Sequence, residues 1–153
     1  MAGYRRRGAG PGIGAGFRDR PQQGETMAEM NRFTRDHEWA RRDGELVRVG
    51  ISDYAQDALG DIVFVELPQP GRRVAAGEAV AEVESTKTVS SVMAPVAGEV
   101  VEVNAALASQ PETINRDPFA AGWLFALRPV RVAELDDLLD ETEYRKYVEE
   151  LSR

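Results

Sequence analysis

Acylatable amines are scarce in this chain. Of its 19 basic residues only Lys87 and Lys146 are lysines, and the other 17 are arginines. Lys87 lies in Glu84-Ser85-Thr86-Lys87-Thr88, between short apolar runs at residues 79–83 and 89–93. A lysine that sheds its proton can form an amide, and an arginine in its place cannot. The pattern points to a carrier of an attached group rather than to an enzyme. The plain alternative is a solvated charge in a turn, the usual state of a surface lysine.

What is missing sharpens the point. The chain has no cysteine, which excludes disulfides, thiolate nucleophiles and cysteine-ligated metals. His37 is its single histidine, so a multi-histidine metal site is excluded and a serine–histidine triad would rest on that residue. No catalytic or metal-binding residue is assigned. Redox chemistry would have to be carried by a group other than the side chains. No apolar run approaches the ~18 residues of a membrane-spanning helix.

A length of 153 residues suits one domain with a real core, and a hydrophobic fraction of 42% is ordinary for a globular chain. The net charge of −7 hides two unlike parts. Residues 1–26 hold five arginines against Asp19 and Glu25, a balance of +3, and residues 27–153 carry −10. So acidic a domain repels nucleic acid, whose phosphates supply much of its affinity for proteins. It suits brief docking onto basic clefts of protein partners.

Residues 1–26 contain seven of the 14 glycines and almost no core-forming side chains, and they are expected to be a disordered extension to a domain over 27–153. The extension lacks the apolar stretch of a secretory signal. Its arginines suit a mitochondrial transit peptide, but its missing serine and many glycines argue against one, so the expected location is cytoplasmic. A functional start at Met27 or Met30 is a further alternative.

Beyond Phe33 the pattern predicts mostly short strands. They fall at residues 45–51, 61–67, 79–84, 88–93, 99–103 and 122–127, separated by glycine and proline. Ser52 and Gly60 bracket an expected two-turn helix, with Ser52 as N-cap and Gly60 as a left-handed stop. Residues 133–151 read as helical with a break near Asp140, where Asp140 and Glu143 have capping-box spacing. Residues 80–84 and 100–104 echo one another, each after a Gly-Glu pair, and suggest two related strand units with Lys87 on the connection. That places the lysine at a hairpin tip, which Ser85 and Thr86 hydroxyls are expected to brace.

Motifs spread from Phe33 to Leu151 closely resemble the H protein of the glycine cleavage system. They are Asp36-His37-Glu38-Trp39, Val49-Gly50-Ile51-Ser52-Asp53-Tyr54-Ala55-Gln56 and Leu59-Gly60-Asp61-Ile62-Val63-Phe64-Val65-Glu66-Leu67-Pro68. Val83-Glu84-Ser85-Thr86-Lys87, Ala94-Pro95-Val96-Ala97-Gly98-Glu99-Val100, Asn115-Arg116-Asp117-Pro118 and Gly122-Trp123-Leu124-Phe125 continue the series. The resemblance implies a mainly β fold, a flattened barrel or barrel-sandwich hybrid of the lipoyl-biotinyl type, with a short internal helix and C-terminal helices. It implies lipoate in amide linkage on Lys87, placed there by lipoate-attaching enzymes. It further implies a non-catalytic carrier that serves a pyridoxal-phosphate glycine decarboxylase (P protein), a tetrahydrofolate-dependent aminomethyltransferase (T protein) and dihydrolipoyl dehydrogenase (L protein). No nucleic acid or membrane is expected as a partner.

Two positions depart from the family pattern. Ser91 stands where an acidic residue is usual, beside the expected path of the arm, and Met93 replaces an aromatic or polar residue. Glu38 matches a position that can hold the loaded amine; the other reading is an exposed acid at a strand start. Rival readings are a biotin carrier, a lipoyl domain of a 2-oxo-acid dehydrogenase acyltransferase, and an H-like protein relaying lipoyl groups to other complexes. An enzyme acting through His37 is the fourth. Biotin carriers usually set their lysine between methionines, whereas Thr86 and Thr88 flank Lys87. The acyltransferase domain normally leads into a long linker and a large catalytic domain.

Overall fold

The computed structural model describes residues 30–152, and the extension expected over residues 1–26 lies outside them. Among the described residues the strands are β1 (Arg32–Phe33), β2 (Glu38–Asp43), β3 (Leu46–Ile51), β4 (Ile62–Glu66), β5 (Arg73–Val74), β6 (Ala79–Ser85), β7 (Val89–Met93), β8 (Gly98–Val103) and β9 (Phe125–Pro129). The helices are α1 (Asp53–Leu59), α2 (Thr113–Arg116) and α3 (Glu141–Leu151). One antiparallel sheet orders its strands β1-β2-β3-β9-β8-β5, and a second orders them β4-β6-β7. The echoing stretches fall in different sheets: β6 pairs with β4 and β7, β8 with β9 and β5.

Alternation in sequence decides which faces meet. Along β6, Ala81, Val83 and Ser85 turn inward, while Glu82 and Glu84 face water. Val47, Val49, Val100, Phe125 and Leu127 from the larger sheet join Val65, Ala81, Val83 and Val92 from the smaller in one buried cluster. The core therefore lies between the sheets. No helix among the described residues is long and apolar enough to cross a membrane.

The local chemistry of α1 matches its sequence. Ser52 Oγ accepts from the Ala55 amide at 3.2 Å, and Asp53 occupies the first turn. Gly60 ends the helix at φ 84°, ψ −157°. That is not the left-handed helical conformation expected of it, but a region essentially reserved for glycine.

The C-terminal segment divides near Asp140, as expected, although its first part (Val132–Asp137) is a 3-10 helix. Asp140 and Glu143 exchange both bonds of a capping box, at 2.8 and 2.9 Å. Tyr144 then stacks on Phe33 with ring centroids 4.2 Å apart. Leu151, expected on this packed face, is exposed.

Among the strands, one expectation needs correction and one strand goes unpredicted. The sequence predicts a strand over 122–127, but β9 begins at Phe125 and runs through Pro129. A Cβ on Gly122 would fall 2.8 Å from Asp117 O and 2.9 Å from Ile114 Cα, so residue 122 is wedged against α2 rather than paired. Asn104 Nδ2 takes the carbonyls of Ala121 and Trp123, at 2.8 and 2.7 Å, in place of a ladder. Strand β2 is hidden in the sequence because Arg41 and Arg42 break its apolar pattern. Trp39 organises it: the ring is fully buried, Nε1 donates to Pro118 O at 2.9 Å, and the Arg41 guanidinium lies 4.7 Å from the ring centre.

Glu38, also in β2, ties the two sheets together. It is 1% exposed, so the exposed-acid reading is wrong. Its Oε1 accepts from the Thr34 hydroxyl, and its Oε2 accepts from the Met93 amide of β7 at 2.9 Å. Burial raises its pKa, and the bonds from Thr34 and Met93 oppose the rise only in part.

These contacts generate two predictions. A Cβ on Gly50 would lie 2.6 Å from Trp39 Cζ2, so Gly50→Ala must displace the ring. Denaturant titration should show a loss of about 1–3 kcal/mol with altered tryptophan fluorescence; unchanged stability would contradict this packing. For Glu38, a raised folded pKa means its stabilisation is complete below the ordinary value of 4.5 and is lost as pH climbs through the folded value. Glu38→Gln does not titrate, so the advantage of wild type over this variant should shrink between pH 4 and pH 7. A gap independent of pH would contradict the buried carboxylate.

Candidate functional site

Strands β6 and β7 form a hairpin with Lys87 at its tip. Glu84 pairs with Val89, and the Ser85 amide donates to Thr88 O at 2.8 Å. Such tight turns usually recruit glycine because they need positive φ. Here His37 is the one non-glycine residue with positive φ among the described residues, so the turn is held in another way. Ser85 Oγ accepts from the amides of Lys87 and Thr88, at 3.2 and 3.1 Å. The serine brace is thus as expected. Thr86 contributes its backbone rather than its hydroxyl: its N–H donates to Asp61 O at 3.1 Å, joining the turn to the loop after α1.

The Lys87 side chain is exposed and lies over that loop. A Cβ built on Gly60 would stand 3.4 Å from Lys87 Cε, an ordinary contact that places the lysine stem directly over Gly60, whose φ of 84° is what calls for glycine. Among the described residues no carboxylate pairs with the Lys87 amine. The nitrogen is therefore accessible, on a turn held by the bonds of Ser85 and Thr86. These features fit a group attached through an amide at Nζ.

The outer face of the small sheet surrounds this tip. Phe64, Glu84 and Val89 align across its three strands, and the next row is Glu66, Glu82 and Ser91. All six are exposed, Phe64 and Val89 at 55% each. A cleft of about 380 Å³ is lined by Glu66, Leu67, Arg72, Ala81, Glu82 and Ser91, among others. Ser91 itself lacks charge, but its cross-strand partner Glu82 keeps a carboxylate in the row.

Strand β7 gathers the three residues singled out in the sequence. Lys87 precedes Ser91 by four residues, and Glu38 reaches the Met93 amide two residues further on. At ~3.3 Å per residue this is a line of roughly 20 Å along an edge strand. Glu38 and Ser91 differ in character, one buried and doubly bonded, the other open to water. Met93 is half-buried, and its backbone rather than its thioether makes the bond to Glu38.

His37 belongs to the seat of α3. Its Nδ1 lies 2.8 Å from the Tyr144 hydroxyl, which lies 2.7 Å from Ser52 Oγ. Burial lowers its pKa, and the Asp36 carboxylate opposes that shift. Among the described residues no cluster of three or more histidine, aspartate or glutamate side chains is placed to hold a metal ion.

Sequence reasoning gives no role to Gly60 beyond a helix stop, nor any role to Asn115. Yet Asn115 donates to Gly60 O at 2.9 Å and to Gln56 Oε1 at 2.8 Å, and accepts from the Ile62 amide at 2.9 Å. The one available signal is its place in the Asn115-Arg116-Asp117-Pro118 motif.

Comparison with known proteins agrees with this geometry. The family model described as "Glycine cleavage H-protein" matches residues 31–151. A glycine cleavage system H protein of Thermus thermophilus is 57% identical over 117 residues, covering 76% of this chain and 91% of that protein. The H protein of an Anaeromyxobacter species is 50% identical over 124 residues, covering 81% and 97%. A crystal structure of a glycine cleavage system H protein from Mycobacterium marinum superposes with a TM-score of 0.71 at 44% identity, covering 82% of this chain and 98% of that one. The two antiparallel sheets are thus those of the expected barrel-sandwich fold, and the chain belongs to the glycine cleavage H-protein family.

Proposed function

We propose that this chain is the lipoyl carrier of a glycine cleavage system, with the cofactor in amide linkage at Lys87. The observation that carries the reading is the exposed Lys87 amine on a two-residue turn, braced by Ser85 and tied by Thr86 to the Asp61 carbonyl. In attachment, neutral Nζ attacks an activated lipoyl carboxyl, an N–C bond forms, and the activating group leaves with its electron pair. The amine proton passes to solvent. When bound, lipoate would supply a disulfide able to take the aminomethyl group left by glycine decarboxylation; the one-carbon unit would pass to tetrahydrofolate with release of ammonia, and dihydrolipoyl dehydrogenase would reoxidise the dithiol by taking its two electrons onto a flavin.

The chain's own residues do the positioning. The lysine stem lies over Gly60, and the backbone bonds of the turn fix the origin of the arm. Ser91 is the arm contact along β7, a hydroxyl on the open face, while Glu38, buried and bonded to Thr34 and the Met93 amide, holds the far end of that strand in place rather than meeting the arm directly. The acidic outer face suits docking onto basic clefts of the decarboxylase, the aminomethyltransferase, the dehydrogenase and the lipoate-attaching enzyme. A tethered arm gives each docked partner a high local concentration of cargo. One feature favours a second reading, relay of lipoyl groups to other complexes: Ser91 holds an amine less strongly than an acid would.

Lys87→Arg separates charge from acylation. The variant should match wild-type stability within about 0.5 kcal/mol, as an exposed substitution does. It should take up no lipoate and support no glycine cleavage when reconstituted with the three partner enzymes. Retained glycine cleavage in this variant would overturn the assignment.

A further inference from the structure

Lys87 is steady only if the loop beneath it is steady; β6 holds the loop's far end by pairing Ser85 with Ile62, and its Gly60 end needs another support. The loop runs from Gly60 to Ile62, with Asp61 between them taking the Thr86 amide. Gly60 has a φ of 84° and no side chain, so its local chain preferences are weak. All three bonds of the Asn115 side chain converge here. Nδ2 donates to Gly60 O (2.9 Å) and to Gln56 Oε1 (2.8 Å), and Oδ1 accepts from the Ile62 amide (2.9 Å). The clamp thus spans the end of α1, the loop and the start of β4.

Asn115 is itself well anchored. It sits on α2, whose neighbouring Ile114 is fully buried in the core, with Gly122 pressed against the Ile114 backbone. A rigid path therefore leads from the core through Ile114 and Asn115 to Gly60 and Ile62, then from Asp61 O to Thr86 and Lys87. A primary amide suits the task, because one side chain must both donate and accept. We infer that Asn115 is a positioning residue for Lys87, holding the loop on which the lysine turn rests so that Nζ is presented for acylation. This rests on the lipoyl-attachment reading above and adds a residue 28 positions beyond the lysine in sequence.

The test uses the full chain without lipoate, given lipoate, ATP and a lipoate–protein ligase, with mass spectrometry to follow Lys87. Amide hydrogen exchange at Thr86 is measured in parallel on the same preparations. Asn115→Ala removes the clamp. Asn115→Asp keeps the size and the acceptor for Ile62 but loses both donors, and serves as the gentler variant. Val47→Ala, a cavity in the larger sheet, controls for plain loss of stability.

Both Asn115 variants should lower the initial acylation rate by about tenfold and speed Thr86 exchange by a similar factor, at a temperature where each is fully folded. Val47→Ala should lower Tm yet leave both readouts within about twofold, since distant sites act independently. Wild-type acylation and Thr86 protection in the Asn115 variants would overturn the inference. Failure of wild type itself to be acylated would overturn the attachment reading instead, while Thr86 exchange would still decide whether Asn115 holds the turn.

Discussion

The bond from the Thr86 amide to the Asp61 carbonyl is the constraint on which the site depends. Without it, β4 would support the hairpin only as far as Ser85, and the two-residue turn would project beyond that pairing. With it, the turn is seated on the loop that ends α1, and the Lys87 stem lies over Gly60. The bond is an ordinary one, worth about 1 kcal/mol. Its consequence is geometric: it turns a surface lysine into a fixed point from which a long arm can be aimed.

Several features become intelligible from that point. The two sheets enclose an aliphatic core, and the carboxylate of Glu38 crosses between them to the Met93 amide at the far end of the strand that begins beside Lys87. The aromatic seat of Phe33, Trp39 and Tyr144 holds α3 against the same region, with His37 locked into it through the Tyr144 hydroxyl. These parts surround the exposed amine of Lys87. The chain has no cysteine, and its single histidine is engaged with the Tyr144 hydroxyl.

How much of this is legible in the sequence varies with the range of the interaction. Strand β6 announces itself through alternating valines and glutamates, and the caps of α1 and α3 are local three-residue patterns. Strand β2 is not legible, because its order comes from Trp39 reaching Pro118, and Arg41 reads as solvent-facing until the ring beneath it is seen. Gly122 and Trp123 mislead for the opposite reason: in a β-like stretch, Gly122 is wedged against α2 and the Trp123 carbonyl is taken by the Asn104 amide, so regular pairing starts only beyond Leu124, whose N–H reaches Val49 O. In the site, Lys87 and Ser85 are readable from their own pentapeptide. Glu38 can be singled out along the chain, but its burial depends on Met93, 55 residues away. Asn115 stands out only through its Asn115-Arg116-Asp117-Pro118 motif, and its role is not readable there because all its side-chain partners belong to other segments.

The central claim is that Lys87 carries lipoate. Intact and peptide mass spectrometry of the protein from its native host tests it most directly. The predicted result is a lipoyl increment confined to the peptide containing Lys87. A biotin increment there, or an unmodified Lys87 in a host that lipoylates its other proteins, would contradict it.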